Sequence, residues 1–253
     1  MTRKTLIAGS VSIVVLLGLW EILARLYGSN FILPSPIAVF GDYASLFQEP
    51  GFPAIIGATC VRGILAFAIS FVLSIPLGFA AGAWPIVDSV IKPWMSVIKS
   101  TPVVAFIIIA ILWLGSGTVP IFVSVLMTLP VMTEAVAAGV RSSDPKLLEM
   151  ARVYRFGWLD RMLHIQLPSA LPYLLGGAGS SLGLTWKVVV AGEILGMPKL
   201  GIGSAMQTAK IHLETARVFS LTLAAIALSV ATDLAFGALV RASRRHSQIK
   251  ERP

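Results

Sequence analysis

Residues 54–84 read AIIGATCVRGILAFAISFVLSIPLGFAAGAW, an apolar run in which Arg62 is the one charge. A helix needs about 20 such residues to cross the hydrocarbon core of a bilayer, so this stretch is long enough to span it with some tilt. Working outward, comparable runs lie at 5–26, 100–114, 119–140, 169–194 and 216–240. The run at 100–114 is short and broken at Pro102, and its start falls anywhere between Ile91 and Val104, which leaves five or six spans open. The reading is therefore an all-α polytopic membrane protein, with the whole of 1–253 forming one transmembrane domain. Composition agrees: 56% of residues are hydrophobic and 13% charged, against about 25% charged in an ordinary soluble domain.

The first run follows Arg3 and Lys4 as a signal peptide would. It is longer than a secretory apolar region and no small-x-small site follows, so it is expected to stay as the first span. Leu33-Pro34-Ser35-Pro36 and Pro50-Gly51 then mark a loop of about 25 residues before the second span. The net charge of +8 could suggest nucleic acid, but the basic residues flank the apolar runs, as membrane topology requires. With the N-terminus inside, fourteen Lys and Arg fall in inner segments and four in outer ones, which predicts that both termini lie on the inner side. Cys60 is the single cysteine, so no intrachain disulfide forms.

The inner loop 141–168 is too patterned for a plain connector. Asp144 can cap free backbone N–H groups and Pro145 suits a first helical position. Leu147, Ala151 and Tyr154 recur on one helix face, with Lys146, Glu149, Arg152 and Arg155 in other directions. Gly157 interrupts, Trp158, Met162 and Ile165 repeat the spacing, and Pro168 opens the next span. Two short amphipathic helices are expected, and the pattern alone suits a lipid surface or a protein partner equally.

These residues resemble the binding-protein-dependent permeases of ABC importers, whose cytoplasmic loop carries a Glu-Ala-Ala signature ending in Ile-x-Leu-Pro. Here it reads Glu149-Met150-Ala151, then Ile165-Gln166-Leu167-Pro168, at the family spacing. Met150 stands where the signature has alanine, and Arg155 takes the usual glycine position, with Gly157 two residues later. Leu33–Phe40 (LPSPIAVF), Ser100–Gly117 (STPVVAFIIIAILWLGSG) and Trp186–Gly203 (WKVVVAGEILGMPKLGIG) are similar to recurring segments of the nitrate, sulfonate and taurine branch.

The resemblance implies a permease subunit of a bacterial plasma (inner) membrane importer, with both termini cytoplasmic. The chain has no Gly-x4-Gly-Lys-Ser/Thr phosphate loop, so a separate ATPase would use ATP and Mg, and this chain would bind no cofactor or metal and catalyse nothing. Asp144, Leu148, Glu149, Ala151, Arg152, Gly157, Ile165, Leu167 and Pro168 would form the part that couples to that ATPase. An extracytoplasmic solute-binding protein would deliver the solute, a small anion such as nitrate, a sulfonate or taurine. A permease homodimer surrounded by lipid, with the pathway on its two-fold axis, would carry it across.

Charges that lipid would not tolerate single out Arg62, Glu134, Lys187 and Glu193. Arg62 and Glu193 lie at matching depth, so an ion pair between them is feasible. Gly176, Ser180, Gly183 and Lys187 share one helix face, which either packs on another helix or lines a cavity. Arg62, Ser180, Gly183, Lys187 and Glu193 are therefore the candidate pathway residues. Gly78 and Gly82 read as a helix contact. Two other classes fit parts of the pattern. An ion-gradient-driven secondary transporter would use Glu134 as a relay. An intramembrane enzyme would use Ser181 within Gly179-Ser180-Ser181-Leu182-Gly183, a hydrolase-like pattern that works only on a strand-turn-helix elbow. His164, His212 and His246 show no metal-ligand spacing.

Overall fold

The computed structural model describes residues 3–250, and side chains over 8–242. The side chains of Arg3, Lys4, Arg244, Arg245, His246 and Lys250, and all of Arg252, lie outside that range, and with them part of the charge asymmetry. In chain order the helices are α1 (Arg3–Tyr27), α2 (Pro36–Leu46), α3 (Phe52–Ala83), α4 (Pro85–Ser100), α5 (Val103–Trp113), α6 (Val119–Arg141), α7 (Pro145–Val153), α8 (Trp158–Arg161), a π-helical turn (Met162–Gln166), α9 (Leu167–Gly196), α10 (Ile202–Ile211) and α11 (Thr215–Lys250).

Proline sets many of the boundaries. Pro36, Pro53, Pro85, Pro120, Pro145 and Pro168 all fall in first turns, where their missing N–H costs nothing. Pro168 also explains the π turn. It cannot bond to the carbonyl four residues back and its ring crowds that carbonyl, so the backbone widens there and the Leu167 N–H reaches Met162 O instead.

Among the described residues five helices are long and apolar enough to cross a membrane, with spans at Ala8–Tyr27, Phe52–Ala83, Val119–Arg141, Trp158–Gly196 and Thr215–Ala242. The pair α4 and α5 makes a sixth if its 98° bend is counted within one span. The uncertain start of the third run is thus resolved: a separate helix ends at Ser100, and α5 begins afresh after Pro102. Ile86, Val90, Trp94 and Val97 of α4 are exposed, while Lys99 and Asp88 turn inward to Glu134 and Arg141 of α6. Both ion pairs stay partly exposed, so α4 is tied to α6 by charge pairs rather than by a buried core.

The expected loop of about 25 residues after the first span is corrected. It contains α2, started by Ser35, whose Oγ accepts from the Ala38 N–H at 3.2 Å. Val39 and Leu46 of α2 are fully buried, the latter against Phe52, Ile202 and Leu221. The connection after α9 likewise holds α10, whose Ile202 joins the same core.

The centre of the fold is α6, packed between α3 and α9. Gly78 and Gly82 of α3 do lie against α6: a Cβ at Gly78 would sit 2.5 Å from Thr133 O and from Val136 Cβ. On the other side a Cβ at Gly139 of α6 would meet Ala170 Cα at 2.6 Å. Such backbone contacts replace the hydrophobic driving force that helices in lipid lack. By contrast α1 and α11 bury little of their apolar surface, as helices bordered by lipid do. Trp20 fixes α1 by donating its Nε1–H to Pro34 O at 3.0 Å and lying 5.7 Å from the ring of Phe219.

Candidate functional site

The 141–168 loop folds as two short helices, α7 and α8, followed by the π turn. Asp144 caps α7, its Oδ1 accepting from the Lys146 N–H at 2.9 Å. Leu148 is half-buried, while Glu149 and Arg152 are exposed. Ala151 is fully buried, and its carbonyl accepts from the Phe156 N–H at 2.8 Å, closing the turn after α7. Leu147 and Tyr154 do not share the burial of Ala151: with Met150 and Val153 they stay exposed, Val153 at 78% and Tyr154 at 72%. The second expected helix is shorter than its spacing suggests. Gly157 precedes the single turn of α8, and the π turn then runs into α9, which Leu167 and Pro168 open. Ile165 is buried where that turn meets α9.

The turn between α7 and α8 keeps its shape without the usual glycine. Arg155 adopts φ 54°, a left-handed conformation that costs a residue with Cβ about 1–2 kcal/mol. Arg155→Gly is therefore expected to stabilise the protein by about 0.5–1 kcal/mol after the greater freedom of glycine in the unfolded chain is subtracted. A higher midpoint in detergent thermal denaturation checks this, and an unchanged or lower midpoint would show that the turn stores no strain.

Sequence reasoning missed how this surface is tied to the membrane helices. Trp158, the first residue of α8, stacks on Trp84 at the α3–α4 junction with ring centroids 6.0 Å apart and planes 21° apart. Phe79 of α3 sits edge-on to both, at 6.3 and 6.5 Å. Nothing local marks the pairing, because 74 positions separate the two tryptophans. The aromatic residues in otherwise polar boundary positions were the available signal.

At the opposite end of α3 and α9, Arg62 and Glu193 are together. Arg62 Nη1 donates to Glu193 Oε1 at 2.6 Å and to Leu200 O at 2.7 Å. Thr59 Oγ1 lies 3.0 Å from both carboxylate oxygens, and Gly203 N–H donates to Oε2 at 3.0 Å. Thr59 in turn accepts the Ile202 N–H at 2.9 Å. Glu193 is completely buried, so it caps the start of α10 while joining α3 to α9. Glu134, the other carboxylate singled out, pairs with Lys99 at 2.6 Å on a half-exposed surface.

Lys187 stands apart. Gly176, Ser180 and Lys187 are exposed and Gly183 half-buried, and no atom lies within 4 Å of a Cβ built at Gly176 or Gly183. Within this chain the face is open rather than packed on another helix. Asp233 of α11, a further intramembrane carboxylate, is exposed as well and was not singled out by the sequence reading. Ser181 is buried in the middle of α9 with no hydrogen-bond partner for its hydroxyl among the described residues, and its Gly-x-Ser-x-Gly pattern lies within a helix rather than on a strand-turn-helix elbow.

Residues 74–245 match the family described as binding-protein-dependent transport system inner membrane component. The chain belongs to this family of ABC importer permeases. The permease is 30% identical to a probable ABC transporter permease protein of Brucella melitensis, over 83% of this chain and 84% of that one. It is 27% identical to the putative aliphatic sulfonates transport permease protein SsuC of Bacillus subtilis, over 81% and 75%. Its fold is similar to that in the crystal structure of an amino acid ABC transporter with histidines, at a TM-score of 0.61 and 18% identity, covering 82% of the permease and 96% of that chain. The permease is thus a multi-pass transport subunit, in a family that works with an ATPase and a solute-binding protein.

Proposed function

We propose that this permease is driven through residues 144–168 by a cytoplasmic ATPase, and that it passes a small anion along the two-fold axis of a permease homodimer. The observation that carries the reading is the stack of Trp158 on Trp84 behind the exposed apolar side of α7. A partner gripping Leu147, Met150 and Val153 would move α8, and through the stacked rings it would move the end of α3. Helices packed backbone to backbone, as α3, α6 and α9 are, move as rigid bodies. Both termini then lie in the cytoplasm, the Arg62–Glu193 end of the molecule faces outward, and a solute-binding protein docks there. The partner ATPase uses ATP with Mg, and this chain supplies the lever and the path.

Replacing Glu149 with Arg reverses an exposed charge at the centre of the proposed contact. Co-purification with the ATPase and ATP-driven uptake are both expected to fall at least tenfold, while the permease keeps its helical content and melting temperature. Retained co-purification would remove this surface from the contact.

For the pathway, the open face carrying Ser180, Gly183 and Lys187 supports the anion reading, as does the relative named for aliphatic sulfonates. Arg62 and Glu193 are proposed to hold the outer end of the path by their mutual bond rather than to bind solute. Lys187→Met is expected to reduce anion uptake by roughly tenfold or more, the scale of one lost charge-assisted contact, with assembly intact. Uptake equal to the wild type would take Lys187 off the path.

A further inference from the structure

Helix α4 carries two stripes of opposite character. Ile86, Val90, Trp94 and Val97, spaced by four, four and three, are all exposed, Ile86 at 81% and Trp94 at 70%. Asp88, Lys92, Met95 and Lys99, spaced by four, three and four, take the opposite side. Apolar residues with a tryptophan on one side and lysines on the other form the pattern of a helix lying between headgroups and acyl chains. The 98° bend to α5 suits that position, because a following helix that rises through the membrane leaves α4 lying across it. Trp84, just before α4, stacks on Trp158 and so places the helix at the α7 end of the molecule.

The polar stripe is fastened to α6 at both ends and open between them. Asp88 pairs with Arg141 at 3.3 Å, and Lys99 pairs with Glu134 at 2.6 Å. Between these pairs lies a cavity of about 310 Å³, whose lining includes Ile91, Lys92 and Met95 of α4 and Thr133 and Ala137 of α6. Two polar groups in that lining are unpartnered. The ammonium of Lys92, an exposed residue, makes no ion pair or hydrogen bond among the described residues. Thr133, only 2% exposed, has no hydrogen-bond partner for its hydroxyl among them either. The two carboxylates in the lining, Asp88 and Glu134, are already taken by Arg141 and Lys99, so the charge left over is that of Lys92.

An unpaired ammonium beside a free hydroxyl recognises an anion with several acceptor oxygens, and a phosphodiester supplies them. Ile91 lies between the two stripes of α4 and is half-buried, so an apolar path leads from the cavity to Trp94 and Val90. A free anion gains nothing from that path, whereas a lipid with its phosphate in the cavity buries acyl chain along it. A zwitterionic headgroup brings its own ammonium, which Lys92 repels and neither paired carboxylate is free to meet. We infer that the cleft between α4 and α6 holds the headgroup of an anionic phospholipid from the leaflet on the α7 side, with Lys92 and Thr133 bonding its phosphate. The bound lipid fastens α4 to α6 between the two ion pairs. This site depends on neither the proposed ATPase contact nor the role of Lys187.

Reconstitution of the full-length permease with acyl-brominated lipids tests the site, since bromine quenches a tryptophan that it touches. Subtracting the signal of Trp94→Phe isolates Trp94 from the other five tryptophans. In a phosphatidylcholine bilayer, brominated phosphatidylglycerol is expected to reach Trp94 about fivefold more favourably than brominated phosphatidylcholine, the worth of one cation at a phosphate surface. Lys92→Gln should remove most of that preference and Lys92→Arg should keep it. Thr133→Val, which keeps the shape and loses the hydroxyl, should weaken it about threefold. Equal quenching of the wild type by the two lipids, a measurement that needs no Lys92 or Thr133 variant, overturns the inference. A preference that survives Lys92→Gln or Thr133→Val in full puts the headgroup outside this cavity and overturns it as well. Loss of the preference in inorganic phosphate at constant ionic strength would make the cavity a site for the free anion, with the same consequence.

Discussion

Glu193→Ala is expected to destabilise the permease by about 3–5 kcal/mol, the scale on which removing one partner of a buried ion pair leaves the other uncompensated. The loss is not confined to Arg62. The alanine also leaves the Gly203 N–H without its acceptor, and a buried donor so orphaned costs about 1–3 kcal/mol, whereas the Thr59 hydroxyl still has Ile55 O at 3.3 Å. Because the carboxylate joins α3, α9 and the start of α10, the damage should appear first as loosening of α10 and its connection to α9. Glu193→Gln keeps the shape and one acceptor oxygen, so its loss should be smaller. The double replacement Arg62→Met with Glu193→Leu should recover part of what the alanine loses, since well-packed apolar residues can stand in for a buried pair. Denaturation of the three variants in the same detergent checks the order. An alanine variant as stable as the wild type would show that the cluster is hydrated and contributes nothing to the fold.

Gly78→Val should be comparably damaging, for a steric reason. Its Cβ alone would meet Thr133 O and Val136 Cβ at 2.5 Å, and the first of these is backbone, which cannot rotate away. Overpacking usually costs about 1–3 kcal/mol, and more where the backbone must shift. The α3–α6 contact is therefore expected to separate, with loss of folded protein from the membrane fraction. Gly139→Val tests the α6–α9 contact in the same way. Gly183→Ala is the informative control, because nothing lies within 4 Å of its Cβ. It should leave the monomer's stability unchanged, and any loss of uptake would then locate Gly183 against a second protomer or along the path. A stable, abundant Gly78→Val variant would mean that α3 and α6 are not packed this closely.

The same distinction explains what could be read in advance. Hydropathy is a local property, and each span needs its own run of apolar residues, so the crossings at 54–84, 119–140 and 216–240 were plain in the residues. The start of α7 was equally legible, because Asp144 satisfies an N–H only two residues away. The meeting of Arg62 and Glu193 was anticipated from depth alone, since a buried charge in lipid requires a partner and few were available. By contrast α2 and α10 were read as connections. Both are short, and α10 is capped not by its own neighbours but by a glutamate on α9 and a threonine on α3.

What the chain's residue order determined by itself was the membrane class, the crossings, the inner-loop signature and the set of charges that had to be explained. Only the tertiary structure decided that α4 pairs Lys99 and Asp88 with α6, that Trp158 rests on Trp84, and that Lys187 lines an apolar groove with no ion pair or hydrogen bond among the described residues. The physical reason is range. Desolvation and capping act within a turn or a span, whereas stacked rings, buried ion pairs and cavities depend on which helices the close glycine contacts bring together.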